Sequence, residues 1–427
     1  MKHIINERYR EVYDQEILDN GLEVILWHKE GYEKSLFMMV TPFGAQNLVQ
    51  QDEQGNIIHH PRGIAHFLEH KMFAMHGEDV MNRFSAMGAN VNAFTSYQET
   101  AYYASTSGDP KEPLNLLLDF VQELDIDEAS VEKEKGIIIS ELHMYQEMSD
   151  QRLLMETYAS LYQKHALRYD IGGDDESVSA TTLEQLYRCY EWNYHPSRMI
   201  LICVSGHDSQ ELLEIIRQNQ AKKQFSAPLL IRSCEETEPA QVARSDYEFT
   251  MDVSNPKLCV AYKLCGIEEP YERLRCEWGI RFLLDAYFSS LNPQYQNWLD
   301  EGIINDYCGC DVDIGKAVGS ILFYSETKKQ EEFIALCAQC MKQVRKGEIS
   351  DHLLAQLKKR YYAQSIRAMN SFDDIAISFV RSRFLGVDYF KTLDHLYYLQ
   401  AVDVAHAAAY VNDQHRSIVR LLPKKSS

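Results

Sequence analysis

Residues 63–73 read GIAHFLEHKMF, which puts His66 and His70 four apart with Glu69 beside the second. On an α-helix, side chains four apart point the same way, and the residue at i+3 flanks that face. Two imidazoles can then grip one cation from a single rigid element, with Glu69 close enough to act on a ligand of that ion. Zinc suits such a pair, because its catalytic sites use three protein ligands and leave a position for water. The bland alternative is two ordinary histidines near a structural glutamate. In a chain with 15 histidines, a chance match to H-x-x-E-H is uncommon, on the order of a few per cent.

The surrounding text sets this helix in a repeated frame. GIAHFLEH at 63–70 lies over GIRFLLDA at 279–286, and IDEASVEKEKGIIISE at 126–141 lies over ISDHLLAQLKKRYYAQ at 349–364. YHPSRMILICV near the end of the first half matches DQHRSIVRLL at the end of the second in shape and position. Before the helix, ILDNGLEVILWHK alternates after an Asn-Gly turn and SLFMMVTPFG runs apolar, which predicts two strands. ANVNAFTSYQETAYYAST is rich in β-formers, and the text from about 110 to 167 is helical. Between 221 and 245 the period dissolves into a proline-bearing linker. The expectation is an internal duplication. It is an α+β fold of two tandem homologous domains, 1–220 and 246–427, each a mainly antiparallel sheet packed against helices on one side.

Composition narrows the classes. With 427 residues the chain exceeds a single core, and 45% apolar with 25% charged residues is ordinary for a globular protein. A net charge of −20 repels phosphates, which argues against nucleic acid as a partner. No apolar run is long enough for a membrane helix, and the charged N-terminus offers no signal-peptide core. Ten cysteines without a secretion signal then read as reduced thiols of a cytoplasmic protein.

A third ligand has to come from elsewhere, and the long charged helix carries the candidates. Glu141 follows the apolar run GIIIS, where an acid is more readily anchored than in a solvated cluster. Glu134 sits two helical turns earlier on the same face, too far along the axis to share the ion. It is expected instead to orient a ligand or the substrate.

With these motifs in place the chain resembles the inverted-motif zinc peptidases, the family of pitrilysin, insulysin and the mitochondrial processing peptidase. GIAHFLEHKMF carries the zinc helix of that family, and EKEKGIIISEL its downstream pair of glutamates. GANVNAFTSYQETAYY resembles the strand that binds substrate, and NYHPSRMILICVSG the end of the first domain. The resemblance covers essentially the whole chain and matches the half-size members, including the YmfH-like subunits of paired bacterial peptidases. It implies a zinc metalloendopeptidase with one Zn2+ per chain, held by His66, His70 and Glu141. Glu69 would be the general base and Glu134 a supporting catalytic residue. Asn92, Ala93 and Phe94 would lie on an edge strand that pairs with an extended peptide substrate.

Two departures matter. In the second half, the counterparts of His66, Glu69, His70 and Glu141 are Phe282, Asp285, Ala286 and Gln364, so one metal site is expected. Family members also carry an Arg and, seven residues later, a Tyr that reach the substrate. Here YQNWLDEGIINDYCG places Trp298 and Asn305 at those positions, with Tyr307 out of register. The implied assembly is a heterodimer with a homologous subunit that lacks H-x-x-E-H and supplies the Arg and Tyr; a homodimer is the alternative. A non-catalytic assembly subunit of the same fold is the rival reading. The cysteine pairs CGC at 308–310 and CAQC at 337–340 are assigned to packing rather than a second zinc, and His59–His60 to an exposed loop.

Overall fold

The computed structural model describes residues 1–424. In the first unit, seven strands form one sheet: β1 (Lys2–Asn6), β2 (Glu11–Ile17), β3 (Glu23–His28), β4 (Ser35–Thr41), β5 (Asn90–Thr95), β6 (Thr100–Thr106) and β7 (Ile200–Ser205). Their order is β1-β2-β3-β7-β4-β6-β5, antiparallel except where β7 runs parallel to β3. The expected pair of strands before the metal helix forms as β3 and β4. The charged N-terminus, which has no clear alternation, adds β1 and β2 by pairing Lys2–Asn6 with Gln15–Glu11.

Four helices in this part of the chain are α1 (Ile64–Met72), α2 (Lys111–Val121), α3 (Glu128–Glu147) and α4 (Ser149–Leu161), of which α1 and α3 carry the candidate site. The first unit's main core joins apolar residues of the sheet, such as Val24, Phe37 and Tyr102, to Phe67 and Leu68 of α1 and Leu117 of α2. β4 is buried along its whole length, and no alternation survives in SLFMMVT. A strand that reads apolar throughout needs cover on both faces. The second cover is α5 (Phe372–Phe384), whose Phe379 packs edge-on against Tyr13 and Trp27 at 5.2 and 5.6 Å between ring centroids. Glu99 is buried and held by a forked contact from Arg381, at 2.9 and 2.7 Å.

The second unit has a five-stranded sheet of β8 (Asp246–Met251), β9 (Lys257–Cys265), β10 (Gly309–Ile314), β11 (Val318–Glu326) and β12 (Arg416–Pro423). Its order is β8-β12-β9-β11-β10, and only β8 and β12 are parallel. One face carries the core built with the helix Pro270–Phe288. The other is closed by α4, whose Leu153 and Leu161 pack with Cys259, Ala261 and Val419.

The α+β class and the homologous pair of helix-covered sheets are as expected. Helices on one side only is corrected, because both sheets are covered on both faces. The compact units are also discontinuous. One comprises 1–142, 170–235 and 368–384; the other comprises 143–169, 236–367 and, of the described residues, 385–424. In each half the helix that follows the long helix leaves its own sheet and covers the other half's sheet. Local periodicity marks such a helix as amphipathic but does not name the surface it covers.

His59 and His60 part company. His59 is exposed, whereas His60 is buried and its Nε2 donates to Gln50 Oε1 at 2.8 Å. Gln50 in turn exchanges hydrogen bonds with Asn193, also buried, at 2.8 and 3.0 Å. The expectation of an exposed pair fails at His60 because a satisfied polar network stabilises it inside. Burial, with smaller repulsion from His59 and Arg188, pushes its pKa down to about 4. The folded chain therefore holds His60 neutral, while the unfolded chain protonates it near its ordinary value of 6.5. Stability contributed by the neutral ring is full above about 6.5 and lost as pH falls toward 4, up to roughly 3 kcal/mol. A His60→Asn variant should show a flatter fall in urea midpoint between pH 7 and 5 than the parent; an equal fall would contradict this.

Candidate metal centre

Helix α1 begins at Gly63, which has φ +81°. A Cβ there would meet the carbonyl oxygen of Gly172 at 2.2 Å, so only glycine lets this loop seat against the helix start. Along α1, Phe67, Leu68 and Met72 face the core, which leaves His66 and His70 on the neighbouring face. Their rings lie 4.6 Å apart. Helix α3 is anchored by Val131, Ile138 and Leu142, and the same inward set fixes the direction of Glu134 and Glu141.

His66 Nε2 lies 3.9 Å from one oxygen of Glu141, and His70 Nε2 lies 3.3 Å from the other. One ligand atom from each of the three side chains falls within 4.8 Å of the others. Tetrahedral ligands at ~2.0–2.1 Å from zinc stand about 3.4 Å apart, so this donor set fits that ion. Burial pushes the His66 pKa down to about 4, and His70 adds to it, which keeps the imidazole neutral as a ligand must be. Its Nδ1 is buried without a hydrogen-bond partner.

His70 is treated differently. Burial works to lower its pKa, but the hydrogen bond to Glu134 and the charges of Glu141 and Glu69 override it, and the value is raised. Nδ1 of His70 meets Glu134 Oε1 at 3.2 Å, away from the nitrogen that faces Glu141. Glu134 stands outside the trio of His66, His70 and Glu141. The pKa of Glu134 is lowered, first by that hydrogen bond and then by Lys71 against the opposing effect of burial.

Glu69 is buried, and burial raises its pKa, opposed by the hydroxyl of Thr95, which donates to Oε2 at 2.7 Å. Thr100 hydroxyl donates to the Phe43 carbonyl at 2.8 Å, which leaves the Thr95 proton for Glu69. Thr95 ends β5, and β5 pairs on one side only, with β6. Asn92, Ala93 and Phe94 therefore lie on a sheet edge. A cleft of about 660 Å³ opens beside the cluster, lined by Glu69, His70, Lys71, Phe73, Asn92 and Ile137 among others.

Two residues here escaped sequence reading. Thr95 contacts Glu69 across 26 positions (95 − 69), which no local period reveals. Lys71 did leave a signal: a lysine within a helix whose neighbours Leu68 and Met72 face the core, where it is itself buried.

The second unit packs rings around Phe282, the sequence counterpart of His66. Tyr361 stacks on Phe282 with ring centroids 5.7 Å apart, meets Trp278 at 5.1 Å, and donates its hydroxyl to Asp285 at 2.6 Å. At the positions that correspond in sequence to His66 and His70, the second unit carries Phe282 and Ala286, neither of which can ligate a metal. Trp298 packs against Phe288 and Tyr295, Asn305 accepts from the Tyr307 amide at 3.1 Å, and the Tyr307 hydroxyl donates to Asp150 at 2.9 Å. Among the described residues one other trio, Glu272, Cys276 and His406, brings metal-type atoms together. There Glu272 already accepts from His406, Tyr410, Cys276 and Arg275, so it is a saturated hydrogen-bond hub. Cys337 and Cys340 are buried core residues.

Residues 59–175 match the family model Insulinase (Peptidase family M16), and residues 180–361 match Peptidase M16 inactive domain. The uncharacterized zinc protease YmfH of Bacillus subtilis (strain 168) is 33% identical over 410 residues, 95% of each chain. The chain belongs to peptidase family M16. An M16-like peptidase from Alicyclobacillus acidocaldarius has the same fold, with a TM-score of 0.92 at 30% identity over 97% of this chain and 99% of that one. The β subunit of the mitochondrial processing peptidase of Bos taurus is 31% identical over 160 residues, 36% of this chain and 33% of that protein. The M16 match to 59–175 spans α1 and α3, the two elements that carry the cluster. No described helix is long and apolar enough to cross a membrane.

Proposed function

We propose that this M16 chain is the metal-bearing subunit of a zinc endopeptidase that cleaves peptides or unfolded segments. The observation that carries the reading is the convergence of His66, His70 and Glu141 from two helices with Glu69 beside them. A bound zinc ion would supply Lewis acidity, making a water nucleophilic near neutral pH and polarising the scissile carbonyl. Glu69 would serve as the base that accepts a proton from water and returns it to the leaving amine. Thr95 holds the carboxylate in place through one oxygen, and Glu69 lines the cleft. The free edge of β5 at Asn92–Phe94 takes the substrate as an added strand, reading backbone more than side chains.

The counterparts of the family's Arg and Tyr are otherwise engaged in this chain, Trp298 in packing and Asn305 in a turn. A homologous partner lacking H-x-x-E-H supplies them in the proposed heterodimer. The test is turnover of an unstructured peptide by the purified zinc-loaded chain, alone and mixed with such a homologue. Cleavage should be weak alone and rise at least about tenfold on mixing, as for a missing charged donor at the reacting group. Full activity of the chain by itself would remove the partner from the account. Absence of cleavage in both settings would remove the peptidase reading.

A further inference from the structure

Lys71 follows the second histidine of the motif and is buried, at 4% exposure, on a helix that faces the core. An ammonium in such a place is costly unless its hydrogens and its charge are matched. Lys71 Nζ has two partners, both from the start of α3. One is the carbonyl oxygen of Ser130 and the other Glu134 Oε2, each at 3.3 Å. The other oxygen of the same carboxylate meets His70 Nδ1 at 3.2 Å. A single carboxylate therefore bridges the buried lysine and the histidine, one oxygen to each.

Building on the zinc reading above, we infer that Lys71 is a positioning residue for the metal: it clamps Glu134 so that His70 presents its Nε2 lone pair to the ion. The clamp acts in two ways. With Oε2 tied to Lys71 and the lysine tied to the Ser130 carbonyl, the carboxylate plane cannot turn, and Oε1 is kept on His70 Nδ1. That fixes the proton on Nδ1 and leaves Nε2, the nitrogen that faces Glu141, as the ligand. The clamp also balances charge. Glu134 places a carboxylate charge at the edge of the cluster, and the ammonium of Lys71, 3.3 Å from its Oε2, offsets that charge locally. Without the lysine, Glu134 would be a half-buried anion beside an anionic cluster, and its carboxylate would be free to turn away from His70.

The test is zinc affinity measured by chelator competition on the folded chain, which needs neither a partner nor a substrate. Lys71→Met keeps the length and apolar stem. It should weaken zinc about 10- to 100-fold, the range for losing an outer partner of a ligating histidine. Glu134→Gln should weaken it by a similar factor, and the double variant should be no worse than the weaker single, because both changes break one chain of contacts. Lys71→Arg keeps the charge and should lose less than Lys71→Met, which separates the clamp from a simple packing defect. Cobalt in place of zinc gives a second readout, since a displaced His70 alters its visible absorption. A Lys71→Met chain that melts like the parent and binds zinc equally tightly would overturn the clamp, and so would losses that add in the double variant. If Lys71→Met does not fold, the Lys71→Arg and Glu134→Gln pair decides: full affinity in Glu134→Gln overturns it. His70→Ala in parallel keeps the two readings apart. Tight zinc in both His70→Ala and the parent overturns the metal site itself. Weak zinc only in His70→Ala overturns the role of Lys71 alone.

Discussion

Replacing Glu69 by glutamine should leave zinc bound and cut peptide turnover by about a thousandfold, within the 10²–10⁴ range for losing a general base. The substitution is nearly isosteric. The side-chain oxygen can still accept from Thr95, now at 2.7 Å, so the helix and its neighbours have no reason to move. What disappears is the capacity to take a proton from water. Because Glu69 is buried and its pKa is raised, the charged form is disfavoured there, and the amide should cost little stability or even gain some. Metal content by elemental analysis, a thermal melt and turnover on one preparation check the three parts together. Turnover equal to the parent would remove Glu69 as the base, whatever the other two readings show.

His70→Ala should weaken zinc binding by a thousandfold or more, a loss of about 4 kcal/mol at 1.36 kcal/mol per decade. His70 is the central member of the cluster. It faces Glu141 through Nε2 at 3.3 Å and Glu134 through Nδ1 at 3.2 Å. Removing it deletes one of three ligands and leaves two carboxylates without the group between them. The remaining pair, His66 and Glu141, stands 3.9 Å apart and is an incomplete site for an ion that takes three protein ligands. Because a ligand that binds only the folded state stabilises it by mass action, zinc should raise the melting temperature of the parent and not of the variant. Zinc near one ion per chain in His70→Ala after dialysis against a weak chelator would contradict the assignment.

Particular elements show how far the sequence carries. The 63–73 helix, the alternating strands before it and the duplicated order of elements were legible because side-chain direction repeats every 3.6 residues in a helix and every two in a strand. The same rule put Glu134 and Glu141 on one face of α3, and the motif pattern singled out Glu69, His66 and His70. His60 was misjudged, since two adjacent histidines in a turn-rich stretch look solvated, and the Gln50–Asn193 network that receives one of them is assembled from residues far away. The extent of β1 and β2 was missed for a similar reason: charged strands that pair early in the chain lack the alternation that advertises them.

The covalent chain by itself determined which residues share a helix face, and so that two imidazoles and a carboxylate would travel together on α1. Only the tertiary structure decided that Glu141 meets them, that Lys71 and Thr95 hold Glu134 and Glu69, and that α4 and α5 each close the other half's sheet. The reason is physical. Periodicity is a property of a few neighbouring dihedrals and can be read one segment at a time. A contact between residues 64 apart (134 − 70), as for His70 and Glu134, depends on how whole elements pack, and burial chooses among many surfaces that look alike in sequence.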